Sequence, residues 1–80
     1  MSSSLDVAKL RWRCRRGTKE LDLLTTRYLE HFFAGAALDE QQAFAALLEW
    51  QDPLLYRLLT REDPANNPLQ ESIVQKIHSM

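Results

Sequence analysis

The sequence predicts an all-α protein, a compact bundle of about five short helices, and three observations carry that expectation. Apolar residues recur at helical spacing along nearly the whole chain. The breaks are marked by a capping residue followed by a proline, at Asp52-Pro53 and Asn67-Pro68. The one segment that alternates as a strand would has no second strand to pair with. Eighty residues make a single domain, 1–80, because a chain of this length buries only about two-thirds of the surface it exposes when unfolded. Residues 1–4 are expected to be a disordered N-terminus.

The elements follow in order. Leu10, Trp12 and Cys14 alternate with Arg11, Arg13 and Arg15. Helix is nevertheless the reading here, with Ser4 as cap, Val7, Leu10 and Cys14 as one stripe, and Trp12 turned away from it toward Leu5 and Ala8. From Leu21 the set Leu21, Leu24, Tyr28 and Phe32 falls on one face with Arg27 and Glu30 opposite, a second amphipathic helix that Gly35 ends. Asp39 and Gln42 resemble a capping box before the stripe Phe44, Leu47 and Leu48. Asp52 caps a fourth helix with Pro53 in its first turn, Leu54, Leu55, Leu58 and Leu59 fill it, and Asp63-Pro64 stops it. Asn67-Pro68 starts a fifth, with Leu69, Ile73 and Ile77 inward.

Apolar residues make up 45% and charged residues 26%, with two Gly and three Pro, which excludes collagen-like, low-complexity and disordered classes. The net charge of -1 conceals an uneven distribution. Residues 1–19 carry six basic groups against one acidic, and residues 20–80 carry four against ten. A basic head on an acidic body suggests a partner that reads one end and argues against uniform coating of nucleic acid. The lone Cys14 cannot form an intramolecular disulfide and has no Cys/His cluster around it, so no metal site is expected. Met1-Ser2-Ser3-Ser4 lacks the apolar stretch of a secretory signal, so none is expected, and no segment approaches the roughly 20 apolar residues of a membrane span. A reducing compartment, the bacterial cytoplasm, is expected, with no membrane insertion.

Catalytic constellations are missing: no Gly-rich phosphate loop, no nucleophile elbow and no histidine pair at ligand spacing. His31 and His78 are isolated, His31 reading as a solvent-touching residue at a helix edge, and Cys14 as a small buried hydrophobe. No catalytic residue is assigned, and the chain is not expected to be an enzyme. The unusual piece is Arg15-Arg16-Gly17-Thr18-Lys19-Glu20, at the hinge between the first two helices. Gly17 reads as a C-cap with a positive φ, Arg15 and Arg16 as the last turn of the first helix, Thr18 as the cap of the second and Glu20 as part of its first turn. Capping leaves Lys9, Arg11, Arg13 and Lys19 as excess charge, and Trp12 among these cations is the kind of residue that anchors interfaces.

The run Trp12-Arg13-Cys14-Arg15-Arg16-Gly17-Thr18-Lys19-Glu20-Leu21-Asp22 resembles the Arg-Gly-x-x-Glu signature of the small FAD assembly factors of succinate dehydrogenase, bacterial flavinylation factors with mitochondrial relatives. Leu47-Leu48-Glu49, Asp52-Pro53 and Tyr56 are similar to that family's third and fourth helices, and the resemblance covers roughly Lys9 to Ile77. Leu54 departs from it, standing where many relatives carry an acid, and the chain stops at Met80 where some relatives run on. The resemblance implies a five-helix protein without activity of its own. It would bind the flavoprotein subunit of succinate dehydrogenase, and often that of fumarate reductase, and promote covalent attachment of FAD without holding a cofactor stably itself. Arg16, Gly17 and Glu20 fall on the signature positions and Arg15, Trp12, Lys9 and Asp22 beside them, which makes these the expected partner-binding residues. In that role Gly17 would admit a partner backbone, Arg16 would pair bidentately with a partner carboxylate, and Glu20 would accept from a donor across the interface. A monomer is expected. The alternative is a small nucleic-acid-binding module whose basic first helix lies on phosphates; the acidic remainder and the lack of a base-reading Asn or Gln series count against it.

Overall fold

The computed structural model describes residues 6–79. Five helices, α1 (Val7–Arg13), α2 (Lys19–His31), α3 (Leu38–Leu47), α4 (Asp52–Leu59) and α5 (Pro68–His78), account for the regular structure of these residues, as the apolar spacing implies. They pack into a body of 35 × 26 × 21 Å. α5 lies against α2, α3 and α4, and α1 rests on α2. The core gathers Leu10 and Cys14, then Leu21, Tyr28 and Leu29, then Phe44, Leu47 and Leu48, then Leu55, Leu58 and Leu59, and finally Ile73, Val74 and Ile77.

Helix ends are where the structure departs most from expectation. Ser4 lies outside the described residues; the cap of α1 is Asp6, whose carboxylate accepts the Ala8 N–H at 3.0 Å. Val7 is exposed, so α1 buries only Leu10 and hands over to Cys14 just beyond its last turn. Because α1 ends at Arg13, Arg15 and Arg16 are not in its last turn. α2 is capped as foreseen, Thr18 Oγ1 accepting the Leu21 N–H at 3.2 Å. It stops at His31, ahead of Gly35, which adopts no left-handed conformation. α3 begins one residue before Asp39, behind the N-cap Ala37, so Asp39 sits inside the first turn and no capping box forms. Its carboxylate takes the adjacent Glu40 N–H instead, at 2.8 Å. α4 ends at Leu59, well before Asp63-Pro64, and the chain reverses through Arg61 at φ 65°, a left-handed position occupied without glycine. At α5, Asn67 Oδ1 accepts the Gln70 N–H at 2.9 Å, as the Asn-Pro pair predicts.

One buried polar cluster ties three helices together. Glu40 on α3, 6% exposed, accepts from Tyr28 Oη of α2 at 2.5 Å, and from Ser72 Oγ and Lys76 Nζ of α5 at 2.7 and 2.8 Å. Burial alone would push the Glu40 carboxyl upward. Hydrogen bonds from Lys76, Tyr28 and Ser72, with the Lys76 charge, more than reverse this and hold it below its ordinary value. Tyr28 is pushed up, by burial first and by Glu40 second. His31 is exposed at the end of α2, as read, while His78 Nε2 lies 2.7 Å from the Leu59 carbonyl oxygen and joins α5 to α4.

Candidate functional site

The five residues between α1 and α2 are held by side chains from two directions. Asp22, in the first turn of α2, reaches back to accept the Arg16 backbone N–H through Oδ1. Asp52, at the start of α4, accepts the Gly17 N–H through Oδ2 at 2.7 Å and Arg16 Nε through Oδ1 at 2.9 Å. This is why Asp52 is not the cap of α4: that position is Gln51, without a side-chain hydrogen bond, and the Asp52 carboxylate faces the α1–α2 loop. The Gly17 N–H, and after it Arg16, holds the Asp52 carboxyl below its ordinary range against the effect of burial.

Arg16 points inward. Its side chain is 9% exposed. Besides Asp52, Nη1 donates to the carbonyls of Arg13 and Leu48, both at 2.9 Å, and Nη2 donates to the Trp50 carbonyl at 2.6 Å. Arg13 closes α1, whereas Leu48 and Trp50 belong to the α3–α4 connection. One guanidinium thus joins three parts of the chain through its fork of donors, and the expected bidentate pair with a partner carboxylate gives way to an internal pair with Asp52. Gly17 is likewise not the left-handed C-cap that was expected, since no glycine has a positive φ. Glycine is required for space: a Cβ here would stand 2.9 Å from Asp52 Oδ2, the atom its own N–H binds. Under the loop, the buried Thr25 hydroxyl lies 3.1 Å from the Cys14 carbonyl, and Cys14 is buried, its thiol pushed up by that burial.

The other signature residues face outward. Trp12 is 68% exposed, with the Arg15 Cζ 5.3 Å from its ring centroid, a cation–π contact at the surface. Lys9 lies one turn before Trp12 and is exposed. Glu20 is exposed, and its Oε1 accepts from Tyr56 Oη at 3.1 Å. The basic head is more selective than its composition suggests. Arg11 pairs with Glu30 at 2.7 Å, Arg13 with Glu49 at 2.5 Å, and Arg16 with Asp52, leaving Lys9, Arg15 and Lys19 without an acidic partner among the described residues. Loop and helix ends together present Lys9, Trp12, Arg15, Gly17 and Glu20 on the outside, with Arg16 and Asp22 behind them as supports. Asp52, Pro53 and Tyr56 were missed as members of this site. The available signal was an Arg-Gly pair whose donors need acceptors and the acid at the start of α4, which capping logic had already assigned elsewhere. Among the described residues no group of His, Cys, Asp or Glu could hold a metal ion, and no helix is long and apolar enough to cross a membrane.

Known proteins match this chain along its length. The family model described as flavinator of succinate dehydrogenase matches residues 8–80. A protein of Coxiella burnetii named FAD assembly factor SdhE is 36% identical over 80 residues, covering all of this chain and 98% of the relative. Proteins of the same name from Aliivibrio fischeri and Haemophilus ducreyi are 36% and 29% identical over 77 residues, covering 96% of this chain and 90% and 94% of their own lengths.

Proposed function

Because this chain belongs to the family of succinate dehydrogenase flavinators, we propose that it is an assembly factor that binds the flavoprotein subunit of succinate dehydrogenase and promotes covalent attachment of FAD to it. The observation that carries this reading is the pairing of chain-long family membership with a signature loop built as a rigid edge. That loop is locked from behind by Arg16, Asp22 and Asp52, and its outward residues Lys9, Trp12, Arg15 and Glu20 are left for a partner. A small rigid wedge of this kind needs no chemistry of its own. It acts by holding an unfinished flavoprotein in the geometry from which the flavin bond forms, an effect of positioning. The factor works as a monomer, in the cytoplasm, without a stably bound cofactor, and the flavoprotein of fumarate reductase is a second client.

Deleting the chain in its host and imaging flavin fluorescence of the flavoprotein on a denaturing gel tests the assignment. The covalent-flavin band is expected to fall sharply, and an unchanged band would sink it. Gly17→Arg, in a protein that keeps its helical circular dichroism, is expected to give the same loss. The nucleic-acid alternative is disfavoured by the internal pairing of Arg11, Arg13 and Arg16, which removes half of the six cations it relied on.

A further inference from the structure

Beside the signature loop the N-termini of α2 and α4 form the walls of a cleft of ≈ 330 Å³, lined by Thr18, Glu20, Leu21, Asp52, Pro53 and Tyr56. Its charge is set by one residue. The two Asp52 oxygens are bound to Arg16 Nε and the Gly17 N–H, so that carboxylate is neutralised within the chain. Glu20 has only the Tyr56 hydroxyl at 3.1 Å and no Lys or Arg within ion-pair distance among the described residues, unlike Glu30, Glu40, Glu49, Asp52, Asp63 and Glu71. The helix dipoles do not turn the cleft into an anion site, because the first turns of α2 and α4 already carry Glu20, Asp22 and Asp52. What remains is an exposed carboxylate over an apolar surface of Pro53 and the Tyr56 ring, with the buried Leu21 beneath them.

Resting on the reading of this chain as a flavoprotein assembly factor, we propose that the cleft receives the cationic end of an arginine or lysine side chain of the client, paired with Glu20 and lying on the Tyr56 ring. A carboxylate beside an aromatic face suits such a group twice over, by ion pairing and by cation–π attraction. Lys9 and Arg15, ahead of Gly17, and Lys19, next to Glu20, have no acidic partner among the described residues, so the edge is two-signed. The client surface that fits it carries acids opposite Arg15 and a cation opposite Glu20. Opposed charges of this kind fix the register of docking more than they add raw affinity.

The test uses the full chain and the complete succinate dehydrogenase flavoprotein subunit, with binding measured by calorimetry at low and moderate salt. Glu20→Gln is expected to weaken binding about tenfold or more, and Tyr56→Ala several-fold, with helical circular dichroism unchanged. Glu20→Arg is expected to bind poorly to the wild-type client and to regain affinity with one client carrying an Arg→Glu or Lys→Glu change, found by scanning its surface cations. The cleft assignment is overturned if Glu20→Gln binds like the wild type, or if no charge-reversed client rescues Glu20→Arg. Trp12→Ala and Arg15→Glu separate the two levels of the argument. If these weaken binding and Glu20→Gln does not, the client reading stands and the cleft proposal fails; if the wild-type chain does not bind the subunit at all, both fail.

Discussion

Arg16 and Gly17 occupy the two signature positions whose meaning changes most between sequence and structure. An arginine next to a hinge glycine in a basic segment reads as a group offered to a partner, yet its donors reach two backbone carbonyls of the α3–α4 connection and the Asp52 carboxylate. Lysine keeps the charge but not the fork. Arg16→Lys is therefore expected to leave buried carbonyls unpaired and to lower the unfolding free energy by about 2–3 kcal/mol, on the scale of 1–3 kcal/mol for a buried acceptor left without a donor. Urea denaturation measures it. Client binding should fall with stability, since the loop that Arg16 holds is the proposed contact edge. The two glycines give a second contrast. Gly17→Ala places a methyl 2.9 Å from Asp52 Oδ2 and should break the Gly17 hydrogen bond, at a cost of about 1 kcal/mol. At Gly35 a Cβ meets nothing within 4 Å and φ is not positive. Gly35→Ala should thus be neutral or stabilising by about 0.4–1 kcal/mol, through the lower entropy of the unfolded chain. Thermal denaturation of the two variants side by side checks the sign of the difference.

At the scale of elements, the helices follow from periodicity and their ends from local competition for hydrogen bonds. Thr18 and Asn67 cap as their sequence contexts imply, because each is the polar residue nearest the first exposed N–H groups and has no stronger partner. Asp52 has stronger partners, and so α4 starts without a side-chain cap. Asn67→Ala should accordingly destabilise the protein by about 1 kcal/mol, seen as a lower denaturation midpoint at unchanged slope. Asp52→Ala is expected to act differently. Its main loss is the tie to Gly17 and Arg16, so it should reduce client affinity more than Asn67→Ala does at equal loss of stability. Binding measured on both variants, well below their melting temperatures, distinguishes a positioning role from a merely stabilising one.

For the whole molecule, the cluster of Tyr28, Glu40, Ser72 and Lys76 links folding to pH. Glu40 and Asp52 have folded-state pKa values below their ordinary ones, so the stability they contribute is complete above those ordinary values. It is lost as pH falls through the folded values. Tyr28 has its pKa raised above the ordinary 10.0, which favours the folded state as long as the phenol stays neutral in the unfolded chain. That advantage fades as pH rises past 10. Melting temperature should therefore be flat near neutrality, fall below about pH 4.5, and fall again above about pH 10. Glu40→Gln should flatten the acid limb, and Tyr28→Phe the alkaline one, each checked by calorimetric scans across pH.

Much of this protein was legible before any tertiary contact was known. The all-α class, the five helices, the buried stripe Phe44-Leu47-Leu48, three of the four leucines assigned to α4 (Leu55, Leu58 and Leu59 are buried, Leu54 is exposed), the burial of Cys14 and the outward position of Trp12 all follow from residue spacing and solubility, which act within a turn or two of helix. So does the location of the signature at the α1–α2 hinge. The partners of its residues were not legible, because Arg16 meets Leu48, Trp50 and Asp52 across more than thirty positions of chain, and no local rule brings those together. Periodicity determined most of the inward faces, although Val7 and Leu54, both counted with apolar stripes, are exposed. Only the packing of α4 and the α3–α4 connection against the α1–α2 loop decided that, of the signature, Arg16 turns inward to brace the edge while Glu20 stands open beside Tyr56, since hydrogen-bond donors and carboxylates commit to the partners that folding brings within reach.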